Sequence, residues 1–378
     1  MKIGILTYHN AINYGAVLQA FSTKTFLQKL GHEAEIVNYC CPAVEKQYRV
    51  ETFREAANGK EFISHNISAV LRSAKKRAFQ SFVNKMTVGE KITDAKQLQE
   101  YVTKFDAVII GSDQVWNSIG NGGDAAYFTP GEQVAKIGYA VSCGSAHNLK
   151  LYEKYGVDYE TAIEKFSSLA FREEELAEYV GFIRQRQYQV VVDPVFLNSR
   201  EMWKNVANRR FAGEKYIFAY NLSDNELLFD ALKRLSRLTK LPVYIVNKDV
   251  KGEVRSLGHY RRFSNVSVED FLGLICDASY VVTDSFHASA FSIIFERKFY
   301  TIFDRGGANT NSRMKTLLQD TGLMTCAVIG DEENKIERSY NEYIDYMAVR
   351  EKTDRKVEKS VAFLKGALDK VKNEKNRV

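Results

Sequence analysis

The sequence is poor in the residues that staple, kink or span. Four prolines in 378 residues, with no low-complexity tract and no short-period repeat, exclude proline-rich, disordered and solenoid classes. Five cysteines, an odd number without a CxxC pair, provide neither a disulfide framework nor regular zinc-ligand spacing, and fit a reducing cytoplasm. The apolar runs, such as Ala107 to Ile110, fall far short of the roughly 18 residues that a membrane-spanning helix needs. The opening KIGILTY reads as a buried strand, so the expectation is a soluble chain without an export signal. Charge of one sign is also scarce: 53 Lys and Arg face 47 Asp and Glu. The resulting +6 is too small and dispersed for nucleic acid, but it suits anionic small molecules.

What is present is an alternation of short apolar runs and helical stretches, at a length that predicts two domains. KIGILTY, a helix over Ala16 to Leu30 and EAEIVNY form a βαβ unit, with Gly31 as the C-cap glycine. A polar, Lys- and Arg-rich helical insertion is expected near residues 51–90. The strands FDAVII, KIGYAV, SLAF and QVVVD follow, and their apolar character on both faces predicts a parallel sheet covered by helices. The pattern pauses near residue 200 and restarts with YIFAY, PVYIVN, SYVVT and KFYTIF. The fold class is therefore α/β, with two Rossmann-like doubly wound domains, 1–200 and 201–335, facing a cleft at the carboxyl ends of their sheets. A terminal segment, 336–378, carries Val357, Val361, Leu364, Leu368 and Val371 on one face of a Lys-rich helix and is expected to pack back on the body.

Chemistry-bearing residues collect at strand ends. In SYVVTDSFHASAF, a strand runs into Thr283, Asp284 and Ser285, and either Asp284 or Ser285 would cap the next helix. His287 then falls in the first helical turn, beside free backbone N–H groups where an anion can dock. In the other half, FDAVIIGSDQVWN brings Ser112, Asp113, Gln114 and Trp116 to a sheet edge, with Asp113 as a candidate base and Trp116 as a stacking surface. The first βα loop contributes Asn13 and Gly15, and its lack of GxGxxG gives a dinucleotide no support. Arg172 follows a strand, and Arg313 follows the FDRGGANTNS loop; arginine grips phosphate and carboxylate bidentately. The other histidines show no metal-ligand spacing, and Cys143 reads as a small buried residue.

These strings, in this order, resemble the polysaccharide pyruvyl transferase family: NYGAVLQA at Asn13, GSDQVWN at Gly111, YAVSCG at Tyr139, FRE at Phe171, DPVFL at Asp193, TDSFHASAFSIIF at Thr283 and NSRMKTLL at Asn311. The resemblance implies a GT-B-like fold and transfer of a pyruvyl group from phosphoenolpyruvate to a sugar as a cyclic ketal. It implies His287 as general acid/base and Arg172 as an anion ligand, with Asp113 on the acceptor side. Donor contacts are expected from Ser285 and Phe286, and acceptor contacts from Asn13, Gly15, Ser112, Gln114 and Trp116. No metal, nucleotide or other cofactor is required. In one departure, Ser285 stands where many members carry arginine two residues before the histidine. Arg313 or Arg305 is expected to supply the missing phosphate contact.

Two other readings stay open on sequence grounds. One is a glycosyltransferase of the same fold using a nucleotide sugar; the other is a non-catalytic carbohydrate-binding protein of polysaccharide assembly. The acceptor saccharide, free, nucleotide-linked or lipid-linked, is left open, as is the oligomeric state. A lipid-linked acceptor would bring the enzyme to the inner face of the membrane, where the Lys-rich terminal helix would help.

Overall fold

A computed structural model describes residues 1–47, 73–86, 88–222, 225–247, 258–303, 311–330 and 334–377. Among the described residues, twelve strands form two six-stranded sheets in which every pairing between strands is parallel. In the first, β1 (Lys2–Leu6), β2 (Glu33–Ile36), β3 (Ala107–Ile110), β4 (Ala135–Val141), β5 (Ser168–Phe171) and β6 (Gln189–Val190) lie in the order β2-β1-β3-β4-β5-β6. Helix α1 (Tyr14–Lys29) crosses from β1 to β2, and α2 (Glu174–Arg184) follows β5. Of the expected insertion, 73–83 is helical, and 51–72 and 87 lie outside the described residues.

After α3 (Arg200–Val206), the second sheet is built from β7 (Ile217–Asn221), β8 (Val243–Asn247), β9 (Tyr260–Phe263), β10 (Tyr280–Thr283), β11 (Lys298–Ile302) and β12 (Ala327–Val328), ordered β12-β11-β10-β7-β8-β9. Its helices include α4 (Glu226–Thr239), α5 (Val268–Asp277), α6 (Phe286–Ile294) and α7 (Ser312–Thr321). Strands such as AVII of β3 and IFAYN of β7 are buried at every position, as strands covered on both faces must be.

The two sheets share a seam. Tyr14, at the start of α1, stacks on Phe271 of α5 with ring centroids 4.1 Å apart and donates its hydroxyl to the Val266 carbonyl at 2.9 Å. Such a stack contributes about 0.5–1.5 kcal/mol beyond area burial. One continuous apolar core runs from β1 and α1 through Val195–Leu197 to α5 and α6. The last helix, α8 (Tyr346–Lys375), begins on the second domain and ends on the first. Lys356 pairs with Asp320 of α7 at 2.7 Å, Ser360 Oγ accepts from Val192 N at 3.0 Å, and Lys370 Nζ donates to the Ser167 carbonyl at 2.8 Å. Leu364, Leu368 and Val371 are buried beneath it, with Val357 and Val361 at its partly covered margin. Among the described residues, no helix is long and apolar enough to cross a membrane.

Candidate active site

The carboxyl ends of β3, β5 and β6 in one sheet and of β10 in the other converge on a buried polar cluster. His287 arrives because β10 ends at Thr283 and Ser285 caps α6, its Oγ accepting from Ala288 N at 3.4 Å. Asp284 is spent elsewhere, accepting from Leu222 N at 2.8 Å. The imidazole is 7% exposed, and its Nε2 lies 3.4 Å from Asp193 Oδ2. Its Nδ1 edge packs over Gly15 in the first turn of α1, where any Cβ would overlap the ring. Nε2 makes no hydrogen bond among the described residues.

Asp193 is the hub. Its Oδ2 accepts from Arg172 Nη1 at 2.8 Å and from Ser112 Oγ at 2.9 Å, while Oδ1 accepts from Val195 N at 3.1 Å. Burial opposes its ionisation, but His287 and Arg172 outweigh burial and hold the carboxyl below the usual range. Arg172 is 3% exposed, and its guanidinium lies over the Phe286 ring, 4.6 Å from the centroid. Burial disfavours its charge; Asp193, Glu173 and Asp113 reverse that and fix it as a cation. Its Nε and Nη2 make no hydrogen bond among the described residues, their carboxylate neighbours Glu173 and Asp113 standing 3.9 Å away. Glu173 accepts from Ser142 Oγ at 2.8 Å and Cys143 N at 3.3 Å; burial raises its pKa against Arg172 and Arg313. Arg313, in the first turn of α7, lines a small cavity with Arg172, Asp193 and Phe286, and its pKa is lowered by burial and by the charge of Arg172.

The structure therefore gathers His287, Arg172, Arg313, Phe286, Ser112 and Asp113 around Asp193, which the sequence reading did not single out. Several assignments change. Trp116, expected as a stacking surface for sugar, is fully buried, stacked on Phe128 at 4.5 Å with its indole N–H donated to the Tyr127 carbonyl. It is a core residue with no free face. Ser112, expected toward the acceptor, is fully buried in the Asp193 cluster. Ser285 holds the α6 cap, and Asn13 Oδ1 is committed to capping α1 at Gly15 N and Ala16 N. Gln114 Oε1 accepts from Asn117 at 2.7 Å. Arg305 lies outside the described residues.

Two parallel Rossmann-like domains meeting at a buried arginine–histidine–carboxylate centre define a GT-B-like α/β protein. Solved structures agree on the fold: S. aureus MnaA with UDP is 13% identical at a TM-score of 0.51, covering 98% of this chain and 97% of its own. Methanocaldococcus jannaschii UDP-GlcNAc 2-epimerase, with UDP-GlcNAc and UDP, is 13% identical at 0.51, covering 91% and 94%. No curated protein matches by sequence. The polysaccharide pyruvyl transferase model matches residues 13–302, and the chain belongs to that family.

Proposed function

We propose that the chain transfers the pyruvyl group of phosphoenolpyruvate to two hydroxyls of a saccharide, forming a pyruvate ketal and releasing phosphate. The observation that carries this reading is Arg172. It is a buried, permanently charged guanidinium with two donating nitrogens unspent, beside a second arginine and an imidazole. A small polyanion bearing phosphate and carboxylate supplies the oxygens such a site is built to receive.

In this reading His287 delivers a proton to the methylene carbon of the donor as one acceptor hydroxyl adds to C2, that hydroxyl losing its proton to a base. The second hydroxyl then attacks C2 and expels phosphate, its proton passing to His287 and restoring the imidazolium, while the arginines neutralise the charge gathering on the leaving oxygens. Asp113, at the first domain's edge of the cluster, is the base proposed for the acceptor hydroxyl. Asp193 touches no reacting atom in this scheme; it orients His287 and Arg172. The steps run on side chains without a metal or nucleotide.

The test is phosphate release from phosphoenolpyruvate by wild type, His287→Ala and Arg313→Ala over a panel of galactose, mannose, uronic and N-acetylated acceptors, free and lipid-linked. Release that needs both acceptor and His287, with a product carrying a pyruvate ketal by mass, is expected, and Arg313→Ala raises the donor KM. No release with any acceptor, together with stabilisation by a nucleotide sugar, overturns the reading.

A further inference from the structure

A groove of about 600 Å³ runs between α8 and the outer edge of the first sheet, where β6 ends the strand order. Helix α2 closes on Gln185, a non-glycine in the left-handed region at φ 47°, and that turn lays residues 186–189 along the rim. The Arg186 guanidinium lies over the Tyr188 ring at 4.9 Å, and Tyr188 is anchored edge-on to Phe171 of β5 at 5.4 Å. Across the groove α8 contributes Lys359, Lys370 and the half-buried Phe363. Arg186 and Lys359 are exposed and form no ion pair among the described residues, and Lys370 donates to a carbonyl, that of Ser167. Helix α8 carries Glu351, Asp354, Glu358, Asp369 and Glu374, yet none of them lines the groove, and Glu174 and Glu178 reach only an adjoining hollow. The lining therefore holds three cations and no carboxylate. Gly366, in the interior of α8, lines the same groove, and a Cβ at that position would meet nothing within 4 Å. Glycine inside a helix is destabilising against alanine, and no internal contact here requires it. What it does provide is bare backbone and room beside the cations.

We propose that this groove is a second saccharide site, holding a carboxylate-bearing glycan apart from the reacting centre; the inference rests on the pyruvyl-transfer reading for the origin of the carboxylates. A pyruvate ketal leaves one carboxylate on each sugar it modifies, so the product is a chain of spaced anions. Three unopposed cations match that charge, and the arginine fork pairs a planar carboxylate bidentately. Phe363 offers apolar surface to sugar C–H groups, while Ser168, Gln187 and Gln189 supply hydrogen-bonding groups at the rim. Lys359 and Lys370 lie about 16 Å apart along α8, a span that calls for a chain and not a single sugar. A bilayer surface is flat, so it would engage exposed side chains without entering a concave groove lined by Leu169 and Gly366. The groove and the reacting centre are neighbours along two elements. Lys356, on the turn before Lys359, lines the cavity of Arg172 and Arg313. Strand β5 leads from Leu169 in the groove to Arg172 three residues on, at most about 11 Å. A chain whose modified units sit in the groove is thus kept beside the site for its next units.

Calorimetric titration of the full chain with a galacturonic acid hexasaccharide, and with its carboxyl-reduced neutral counterpart, tests the groove without turnover. The acidic chain is expected to bind at least about tenfold more tightly than the neutral one, a preference that falls as salt rises. His287→Ala leaves that binding intact, whereas Arg186→Gln with Lys359→Gln weakens it about tenfold. Gly366→Leu fills the groove and raises helix propensity, so binding falls while Tm holds or rises. Equal binding of the two hexasaccharides, or full binding by Gly366→Leu, overturns the groove assignment and leaves pyruvyl transfer standing. Binding of phosphatidylglycerol vesicles that depends on Arg186 and Lys359, with no hexasaccharide bound, makes the surface a membrane contact and overturns the assignment too. Hexasaccharide binding by a chain that releases no phosphate from phosphoenolpyruvate with any acceptor overturns pyruvyl transfer instead and leaves the groove standing. The ketal-bearing product, compared with the same saccharide after hydrolysis of its ketal, separates ketal from uronic carboxylates. Tighter binding of the ketal form is expected, and equal binding overturns the ketal as the ligand.

Discussion

Asp193 and His287 meet across the domain seam, carboxylate oxygen 3.4 Å from Nε2, one from the end of the first sheet and the other from the first turn of α6. The same oxygen receives Arg172, so one buried anion orders both the proposed acid and the proposed donor ligand.

Asp193→Asn keeps the shape and removes the charge. Breaking a buried pair costs about 3–5 kcal/mol, so a large drop in Tm is expected with loss of turnover. The pH dependence has a definite sign. The folded carboxyl titrates below its unfolded value of about 3.9, so its contribution is present above that pH and lost as pH falls through the acid range. Asp193→Asn should flatten that part of the stability–pH curve. An unchanged acid limb in urea titrations would contradict the pairing.

Gly15→Ala places a methyl group where the imidazole lies. The ring or the seam must shift, and misplacement of about 1 Å costs on the order of 10²-fold in kcat/KM. Steady-state kinetics beside a melting curve will show activity falling far more than stability.

Arg172→Lys retains charge and discards the planar stack on Phe286 along with the fork. Donor KM should rise at least about tenfold, which measures geometry separately from charge.

Trp116→Phe tests the buried tryptophan. It removes volume and the bond to the Tyr127 carbonyl, so stability falls by about 1–3 kcal/mol while acceptor KM holds. A raised acceptor KM at unchanged stability would return Trp116 to the binding surface.

The strand-to-helix junction at His287 was legible because a β-branched run, a capping serine and a helical stretch follow one another in the chain, so its geometry is local. The two sheets were legible for the same reason. Trp116 misled because a tryptophan after a strand reads equally as platform or core, and the choice rests on Phe128, Phe166 and Phe171 arriving around it. Asp193 was passed over because Asp-Pro at a strand end reads as a turn, and Asp193 does cap one through Val195. Its other role depends on partners from β3, β5 and α6 that only the closed seam assembles.

The closing helix has a mechanical consequence. Because α8 is fastened to α7 by Lys356 and to the first domain by Ser360 and Lys370, the chain forms a loop closed at both the seam and the far end. Neither half can come apart without loosening the other, and heat should disperse the molecule in a single calorimetric event, where two freely hinged halves would give two.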